Sequence, residues 1–502
     1  MQLEGGEIME ELLRSNEIRR LHIAEVLYEK EDWMTVSNLA KELNVSTRIL
    51  KYDISSFQNL FDDFTIETSL HGIRLQFYKN KSLKTLYKNV LDQSTSFQLL
   101  ETLFLEQNHS TFELADLLYI SPSTLYRMIT HINSVVSRYG FQVKTNPCRL
   151  VGDEKSIRTF YILYFYEKYT RLDWGYDIFD EEIDQFLYFV LGVVNYEIDF
   201  ALFNIIKLMT TVNYTRYKQN NLLPIDHFDL NTDELFPIFA SHTDSLQYFE
   251  EKLHLSLNID VINQLFVPFV FRNYSISQDR FFSKINSYPE YADNFTFLSH
   301  LFDKIADKLQ IPVLNKKEII LGVINAVAMN IFDPRSNFVL HNRNQMFVDG
   351  IKQEFPELYE PLQKGMKEFL KRSDLADSEY LENYLIYITY SIWKGLTLSL
   401  RKRHEKIKVL IVSNRHPSHS QMIKEFIEYE LSDHLTLDIF DDLYLTETIL
   451  ENLDYDFVVA NFPLPPLKSK NCICIENIPT FKDLTKIKNE IDDIYLSRLK
   501  AS

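Results

Sequence analysis

The sequence predicts a mainly α-helical, multidomain protein with two N-terminal winged helix-turn-helix modules, two helical bundles and a C-terminal α/β domain. Three observations lead to this fold class. The order helix, helix, turn, helix, hairpin occurs twice before residue 153. Only 11 of the 502 residues are glycine, which favours helices over tight turns. Beyond residue 403 short apolar runs alternate with amphipathic ones, as in a parallel sheet covered by helices.

The first module begins with residues 18–30, whose apolar side chains recur at helical spacing. TVSNLAKEL (35–43) predicts a second, short helix. Ser46 is a good N-cap for the third helix, which begins TRILKYD. The alternating run 64–78 is interrupted by His71-Gly72 and therefore predicts a hairpin.

The second module repeats this order. SFQLLETLFLEQ (96–107) and TFELADLLY (111–119) predict two helices. Ser121-Pro122 supplies an N-cap followed by proline at the first helical position, and the third helix then runs to Gly140. Residues 141–152 predict the second hairpin, with Asn146-Pro147 at its tip.

Residues 155–400 form amphipathic helices rich in phenylalanine and tyrosine, which we divide into two bundles near 285–290. The expected breaks lie near Pro224, Pro237, Pro268, Pro289, Pro312 and Pro334. The basic cluster 401–403 marks a linker to the α/β domain. The predicted domains are residues 1–92, 93–155, 156–287, 288–402 and 403–502.

The charge distribution singles out the two N-terminal modules. The chain carries a formal net charge of -18, yet two stretches contain no acid. The first, between Glu67 and Asp92, holds Arg74, Lys79, Lys81, Lys84 and Lys88. The second, between Asp116 and Asp153, holds Arg127, Arg138, Lys144 and Arg149. Each stretch follows or overlaps a predicted helix-turn-helix, and a cationic surface on an otherwise acidic protein favours contact with phosphates.

The remaining composition predicts a cytoplasmic protein without a membrane segment. Only three cysteines occur, Cys148, Cys472 and Cys474, which is typical of a reducing compartment. The N-terminus is acidic and lacks the apolar core of a signal peptide. No apolar run is long enough to cross a bilayer.

Two segments carry a family resemblance. TVSNLAKELNVSTRILKYDISSF (35–57) resembles the first helix-turn-helix of the Mga/AtxA family of bacterial transcription regulators, and SPSTLYRMITHIN (121–133) resembles that family's second module. The resemblance implies two helical phosphotransferase-system regulation domains (PRDs) and a C-terminal domain like phosphotransferase IIB. It also implies a global regulator, in our interpretation an activator, that links carbohydrate status to virulence or metabolic genes. The expected partners are duplex promoter DNA, a second copy of the chain and the phosphocarrier HPr, with no membrane and no cofactor.

The recognition helices and hairpins supply the candidate DNA contacts. They are Ser46, Thr47, Arg48, Lys51, Tyr52, Arg74 and Lys79 in the first module, and Ser121, Ser123, Thr124, Tyr126, Arg127 and Lys144 in the second. Arg48 could bind guanine or phosphate, whereas the second helix offers mainly hydroxyl groups. We therefore expect modest sequence specificity, with DNA shape providing much of the selectivity. Solvated helix faces are the alternative interpretation.

Histidines are the next candidates, because the resemblance implies regulation by histidine phosphorylation. In the family pattern a helical histidine precedes an arginine by about two turns, but here Met209 precedes Arg216. The remaining candidates are His227 and His341, in segments that connect helices. Ordinary surface or capping histidines are the alternative.

We predict no catalytic or phosphotransfer chemistry for the C-terminal domain. Its resemblance to IIB places Ser413 where the enzymes have a phosphate-accepting cysteine. His416 and His419 form an H-x-x-H pair without further ligands at metal-binding spacing. Phosphate-binding and nucleophile-elbow motifs are absent from the sequence, so we predict that the protein is not an enzyme. Two alternatives stay open: an RNA-binding antiterminator, since PRDs occur in that class, and a phosphotransfer protein.

Overall fold

A computed structural model of the chain describes residues 7–30, 32–58, 63–169, 180–196, 198–330, 332, 337–373, 375, 378–403, 406–431 and 435–501. These residues form a mainly helical protein with a small C-terminal sheet, as the sequence predicts. They divide into two compact units. The first comprises residues 1–305, 314–349 and 361–392, and the second comprises residues 306–313, 350–360 and 393–502. None of the described helices has both the length and the apolar composition that crossing a membrane requires.

The first unit opens with a helix-turn-helix and a hairpin. Its elements are α1 (Glu7–Glu10), α2 (Ser15–Lys30), α3 (Val36–Glu42), α4 (Thr47–Gln58), β1 (Phe64–Ser69) and β2 (Gly72–Phe77). Thr35 caps α3 by accepting a hydrogen bond from the Asn38 amide at 3.2 Å. Ser46 caps α4 in the same way through the Ile49 amide at 3.3 Å, as its sequence position predicts. The strands pair antiparallel, with Glu67 opposite Arg74.

A helix that the sequence analysis missed follows the first hairpin. Residues assigned there to an acid-free stretch fold into α5 (Leu83–Gln93), which begins with a capping box between Ser82 and Thr85. Leu86, Tyr87 and Leu91 are buried along one of its faces. The helix therefore belongs to the core that joins the two modules.

The second module consists of α6 (Thr95–Leu105), α7 (Thr111–Leu117), α8 (Pro122–Val136), β3 (Phe141–Thr145) and β4 (Cys148–Gly152). Ser110 forms a capping box with Glu113, and Ser121 caps α8 with Pro122 in the first turn. Gly140 adopts a φ of +89° after a short 3-10 turn, where an L side chain would be strained. These local signals confirm the predicted helix starts and the stop at Gly140.

A long helical region follows, and it continues into the second unit. Its helices are α9 (Glu154–Lys168), α10 (Asp180–Val193), α11 (Phe200–Lys218), α12 (Thr232–Ala240), α13 (Thr243–Leu253), α14 (Ile259–Phe266), α15 (Gln278–Ser287), α16 (Pro289–Leu309), α17 (Lys316–Met329), α18 (Arg343–Glu354), α19 (Pro356–Arg372), α20 (Glu379–Ile392) and α21 (Leu396–Arg401).

The proline breaks are mostly where the sequence places them. Pro224, Pro268 and Pro312 lie between helices, and Pro289 starts α16. The break predicted near Pro237 is wrong, because this residue lies inside α12. A proline removes its own amide donor from the helix, but the Pro237 carbonyl still accepts a hydrogen bond from the Ser241 amide at 3.2 Å. The break near Pro334 lies outside the described residues.

A buried ionic cluster joins α9 to α11. Glu154 accepts two hydrogen bonds from Arg216, at 2.9 and 2.7 Å, and one from Arg158 at 3.1 Å. Both arginines are fully buried. Arg216 is the arginine of the expected phosphorylation pattern, and Met209, which replaces the histidine two turns before it, is also fully buried. This position is therefore part of a packed core.

The second unit contains the predicted α/β domain. Its elements are β5 (Ile407–Val412), α22 (Pro417–Leu431), β6 (Leu435–Ile439), α23 (Glu447–Asn452), β7 (Phe457–Ala460), β8 (Asn471–Cys474) and α24 (Phe481–Ala501). The strand order is β6-β5-β7-β8, and all three pairs are parallel. The sequence prediction of a small, mainly parallel sheet is confirmed.

Candidate nucleic-acid interface

The N-terminal half of α4 presents an exposed polar face. Ser46, Thr47, Arg48 and Lys51 are exposed, and 73% of Tyr52 is accessible. The acid of this helix, Asp53, is buried and is bound by Arg19 at 2.8 Å. The exposed face therefore carries two cations and no acid, because the packing against α2 removes the carboxylate from the surface.

The first hairpin has less available positive charge than its sequence suggests. Arg74 binds Glu67 at 2.7 Å across the strand pair and lies over the Trp33 ring at 4.9 Å. Lys81 binds Asp63 at 2.6 Å. Both acids flank the acid-free stretch in sequence, and the hairpin fold brings them back to it. The prediction of Arg74 as a DNA contact remains untested, and it now requires this side chain to exchange Glu67 for a phosphate.

Two other lysines of the first stretch are in different surroundings. Lys79 follows the hairpin and is exposed. Lys84 lies on α5, with its Nζ 5.9 Å from the centre of the Tyr166 ring, and lines a cavity. The stretch therefore does not form one cationic surface.

The hydroxyl groups at the start of α8 bind one another. Ser121 Oγ accepts a hydrogen bond from the Thr124 amide at 3.1 Å. It also lies 2.9 Å from Ser123 Oγ and 2.8 Å from Thr124 Oγ1. Tyr126 and Arg127 are exposed on the next turn. The hydroxyls hold the helix start in place, while the larger side chains extend from it.

The second hairpin carries two cations directly opposite each other. Lys144 on β3 pairs in register with Arg149 on β4, and both side chains are exposed. Within the part of the chain that the structure describes, neither forms an ion pair. Opposed like charges destabilise a strand pair, so this arrangement favours an anionic partner. Arg138, in the same acid-free stretch, is instead bound by Glu11.

One side chain fixes the second hairpin to the recognition helix. Asn133 of α8 donates to the Val143 carbonyl at 2.9 Å and accepts from the Val143 amide at 2.8 Å. A cleft of about 390 Å³ lies between these elements and is lined by Tyr126, Thr130, Lys144 and Asn146, among others. Helix and hairpin therefore form one rigid surface around a polar cleft.

Sequence reasoning missed Arg149 and Asn133 as parts of this surface. Arg149 was counted among the basic residues but was not predicted as a contact. The alternation of the hairpin could have indicated that Arg149 shares a face with Lys144. Asn133 carries no local sequence signal, because its role depends on the position of β3.

The two histidine candidates lie in different environments. His227 is exposed, at the end of a 3-10 turn formed by Ile225–His227. His341 is partly buried and stacks on Tyr87, with ring centres 4.3 Å apart. Burial, with the nearby charges of Arg343 and Lys84, lowers the pKa of His341 to about 3. A phosphoryl donor would therefore reach His227 far more readily.

Ser413 of the α/β domain lies directly after β5, as predicted. Its hydroxyl is 2.7 Å from His419 Nδ1, and His419 Nε2 is 2.6 Å from the Asn477 carbonyl oxygen. Both ring nitrogens of His419 are thus engaged in hydrogen bonds. The described residues contain no group of three or more His, Cys, Asp or Glu arranged to hold a metal ion.

Comparison with known proteins gives three family matches along the chain. Residues 15–69 match the model described as "M protein trans-acting positive regulator (MGA) HTH domain". Residues 79–165 match "Mga helix-turn-helix domain", and residues 179–394 match the corresponding MGA PRD domain.

Three relatives align with almost the whole chain. A "Putative trans-acting regulator" of Streptococcus pneumoniae serotype 4 is 29% identical over 478 residues, covering 94% of this chain and 97% of the relative. "Capsule synthesis positive regulator AcpB" of Bacillus anthracis is 20% identical, with coverage of 94% and 98%. AcpA, of the same description and organism, is 22% identical, with coverage of 89% and 93%.

Proposed function

Because this chain belongs to the Mga family of PRD-containing transcriptional regulators, we propose that it binds duplex promoter DNA as a dimer and activates transcription. Two of its relatives are named positive regulators, which supports activation over repression. By the same similarity, the regulated genes would be virulence or metabolic genes.

The observation that carries the proposal is the opposed pair of Lys144 and Arg149 on the second hairpin. Two exposed cations in register repel each other in the free protein, and a DNA phosphate bound to each of them would remove that repulsion. The hairpin would act as a wing, and Asn133 would hold it at a constant distance from α8.

The first module would contribute most of the sequence discrimination. Its recognition helix α4 exposes Arg48 and Lys51 near the N-terminus, the part of such a helix that enters a major groove. Arginine can bind guanine through two hydrogen bonds, and lysine would hold the backbone. In the second module the hydroxyls are already engaged in capping, so α8 would contribute mainly Tyr126 and Arg127. Specificity would be modest and partly due to DNA shape.

Regulation would act through the helical bundles and the α/β domain, which we propose are PRD-like and IIB-like. The second unit exposes several large apolar side chains: Tyr429, Leu443, Tyr444, Ile478 and Phe481. Exposed apolar residues of this size favour contact with a partner, and we assign them to the dimer. Dimerisation would double the DNA contacts and steepen the salt dependence of binding.

His227 is the phosphorylation site that the structure favours over His341, because its ring is exposed. HPr would be the phosphoryl donor. The added charge would alter helix packing and thereby dimer formation. Incubation of the full chain with phosphoenolpyruvate, Enzyme I and HPr should label the wild-type protein and not His227→Ala. Label at Ser413 or His419 would instead support a phosphotransfer protein.

A salt titration of DNA binding tests the proposed function. The affinity of the wild-type protein for a labelled duplex should fall steeply as salt rises from roughly 50 to 200 mM. Arg48→Ala, Lys51→Ala and Arg127→Ala should each weaken binding, and Lys304→Met, an exposed cation of α16, should not. Unchanged affinity in all three interface variants would reject this surface. An RNA stem-loop bound more tightly than duplex DNA would favour an antiterminator.

A further inference from the structure

The first unit contains a cavity of about 830 Å³, and none of its lining residues is a proposed DNA contact. It is lined by parts of α5, α9, α11, α18 and α20 and by residues 337–342. Its wall is mostly apolar and aromatic, with Phe165, Tyr166, Phe338, Phe347 and Tyr387. Small-molecule sites typically have this size, with a few polar groups set in an apolar wall.

Two buried polar atoms in this wall have no hydrogen-bond partner among the described residues. The first is Nη2 of Arg343. The Nε of the same side chain donates to His341 Nδ1 at 3.3 Å, and its guanidinium lies 5.1 Å from the Tyr166 ring centre. The second is Oδ1 of Asn204, whose Nδ2 donates to the Phe200 carbonyl at 2.8 Å. Buried polar groups are almost always paired, so an unpaired donor and an unpaired acceptor on two residues that line the same cavity point to a ligand.

The charges in the wall indicate which kind of ligand this is. Lys84, Lys207 and Arg343 all line the cavity, and Lys207 is bound by Asp184 at 2.9 Å. Glu167 is the acidic residue that lines the cavity. Its carboxylate accepts hydrogen bonds from the backbone amides of Leu340 at 2.9 Å, His341 at 3.3 Å and Val339. Its carboxylate is thus committed to holding the 339–341 segment. The lining thus holds three cationic side chains and one carboxylate, in a chain that is acidic overall.

We propose that this cavity binds a small organic anion. A phosphate or carboxylate group would accept from Arg343, with Lys84 contributing charge, and a hydroxyl or amino group would donate to Asn204. The body of the ligand would pack against the aromatic rings. Because this site shares no residue with the proposed DNA contacts, it can be tested independently of the proposed function.

The position of the cavity connects it to the first helix-turn-helix. His341, two residues before Arg343, stacks on Tyr87 of α5 at 4.3 Å. The Tyr87 hydroxyl in turn donates to Glu25 of α2. An anion bound at Arg343 would therefore fix the 341–343 segment against α5, and α5 packs on the helix that supports α4.

Binding to the full-length protein can be measured by calorimetry and by the shift in melting temperature. The probes are glucose 6-phosphate and adenosine 5′-monophosphate as organic phosphates, gluconate as an organic carboxylate, and glucose and adenosine as their uncharged counterparts. Inorganic phosphate tests whether the anionic group binds without an organic moiety attached to it. We expect saturable binding of at least one organic anion, at least about 10-fold tighter than its uncharged counterpart, which corresponds to about 1.4 kcal/mol. If none of the three organic anions bound saturably to the protein, the proposal would be overturned.

Two variants separate a ligand site from a structural role. Asn204→Leu keeps the approximate shape and removes the unpaired acceptor. It should lower affinity for the bound anion at least about 10-fold while the melting temperature of the free protein stays the same or rises. Arg343→Met should lower affinity further, and Arg343→Lys should retain part of it. The matched control Lys304→Met removes one exposed cation elsewhere and should bind as the wild type does.

The outcomes are distinct from those of the DNA experiment. Unchanged anion binding in both Asn204→Leu and Arg343→Met would overturn the site, as would a lower melting temperature of free Asn204→Leu with unchanged binding. Loss of anion binding with normal DNA binding in Asn204→Leu would support it and leave the proposed function unaffected.

Discussion

The two helix-turn-helix modules share one order of elements but distribute their charge differently. In the first, the hairpin arginine is paired with Glu67, and the exposed cations lie on the recognition helix. In the second, the start of the recognition helix is occupied by its own hydroxyl network, and the exposed cations of the hairpin face each other. Two copies of one supersecondary unit can therefore expose their cationic side chains on different elements. We infer that the first module discriminates between sequences and that the second contacts the DNA backbone.

The largest loss of stability should come from substitution of the glycines that anchor the two hairpins. Gly72 has a φ of +129°, and a Cβ there would overlap the Met34 carbonyl. Gly152 has a φ of +140°, and a Cβ would overlap the Gly140 carbonyl. Since both backbone strain and overlap would arise, Gly72→Ala and Gly152→Ala should each lower the free energy of unfolding by about 3 kcal/mol or more. Urea denaturation measures this.

The matched control is Gly192→Ala, at a helical glycine where an added Cβ would have nothing within 4 Å. It should be neutral or stabilising by about 0.5 kcal/mol. If Gly192→Ala lowered the free energy of unfolding as much as the hairpin variants do, the hairpin glycines would have no special role in stability. A loss at only one hairpin would show that the two hairpins are held differently.

The next largest effect should separate the two modules in DNA binding. Lys144→Ala/Arg149→Ala should reduce the slope of log affinity against log salt by about 2, because roughly 0.9 counterions are released per phosphate contact. Its preference among duplex sequences should stay the same. Fluorescence anisotropy at several salt concentrations measures both quantities.

Arg48→Ala should have the complementary phenotype. Loss of a base contact should cost about 1–3 kcal/mol on the preferred sequence and much less on others. Competition between a preferred and a scrambled duplex measures the ratio. If the hairpin double variant relaxed specificity while Arg48→Ala changed only the salt slope, the assigned roles of the modules would be reversed.

A smaller effect should distinguish the two helix caps. Ser46→Ala and Ser121→Ala each remove an N-cap, at a typical cost of about 1 kcal/mol. The cost should be larger for Ser121, because its hydroxyl also contacts those of Ser123 and Thr124. Urea midpoints of the two variants give the comparison, and an equal loss would show that these hydroxyl contacts contribute nothing.

The smallest expected effect tests the neutralised hairpin. Glu67→Gln would release Arg74 from its ion pair and should strengthen DNA binding by about 2- to 3-fold at low salt, since exposed pairs contribute little. Glu42→Gln, an exposed acid of α3, makes the same charge change outside the hairpin. An equal gain in both variants would mean that only net charge matters.

Much of the fold was predictable because its signals are local. Ser110, Ser121 and Pro122 indicated helix starts and Gly140 a stop, and the hairpins followed from alternation. The missed helix α5 shows the limit of this reasoning: its basic residues were taken as part of a charged surface, although its apolar residues recur at helical spacing. Pro237 shows a second limit, since a short helix can contain a proline.

What the sequence determined alone is the order of elements, because caps, turns and apolar periodicity act over a few residues. Only the tertiary structure decided which charges remain at the surface. Glu67, Asp63 and Glu11 lie outside the acid-free stretches in sequence, yet folding brings them to Arg74, Lys81 and Arg138. It also brought Asn204 and Arg343 to one cavity wall, although 138 residues separate them. Electrostatic interactions depend on distance in space, and that distance is set by packing over the whole unit.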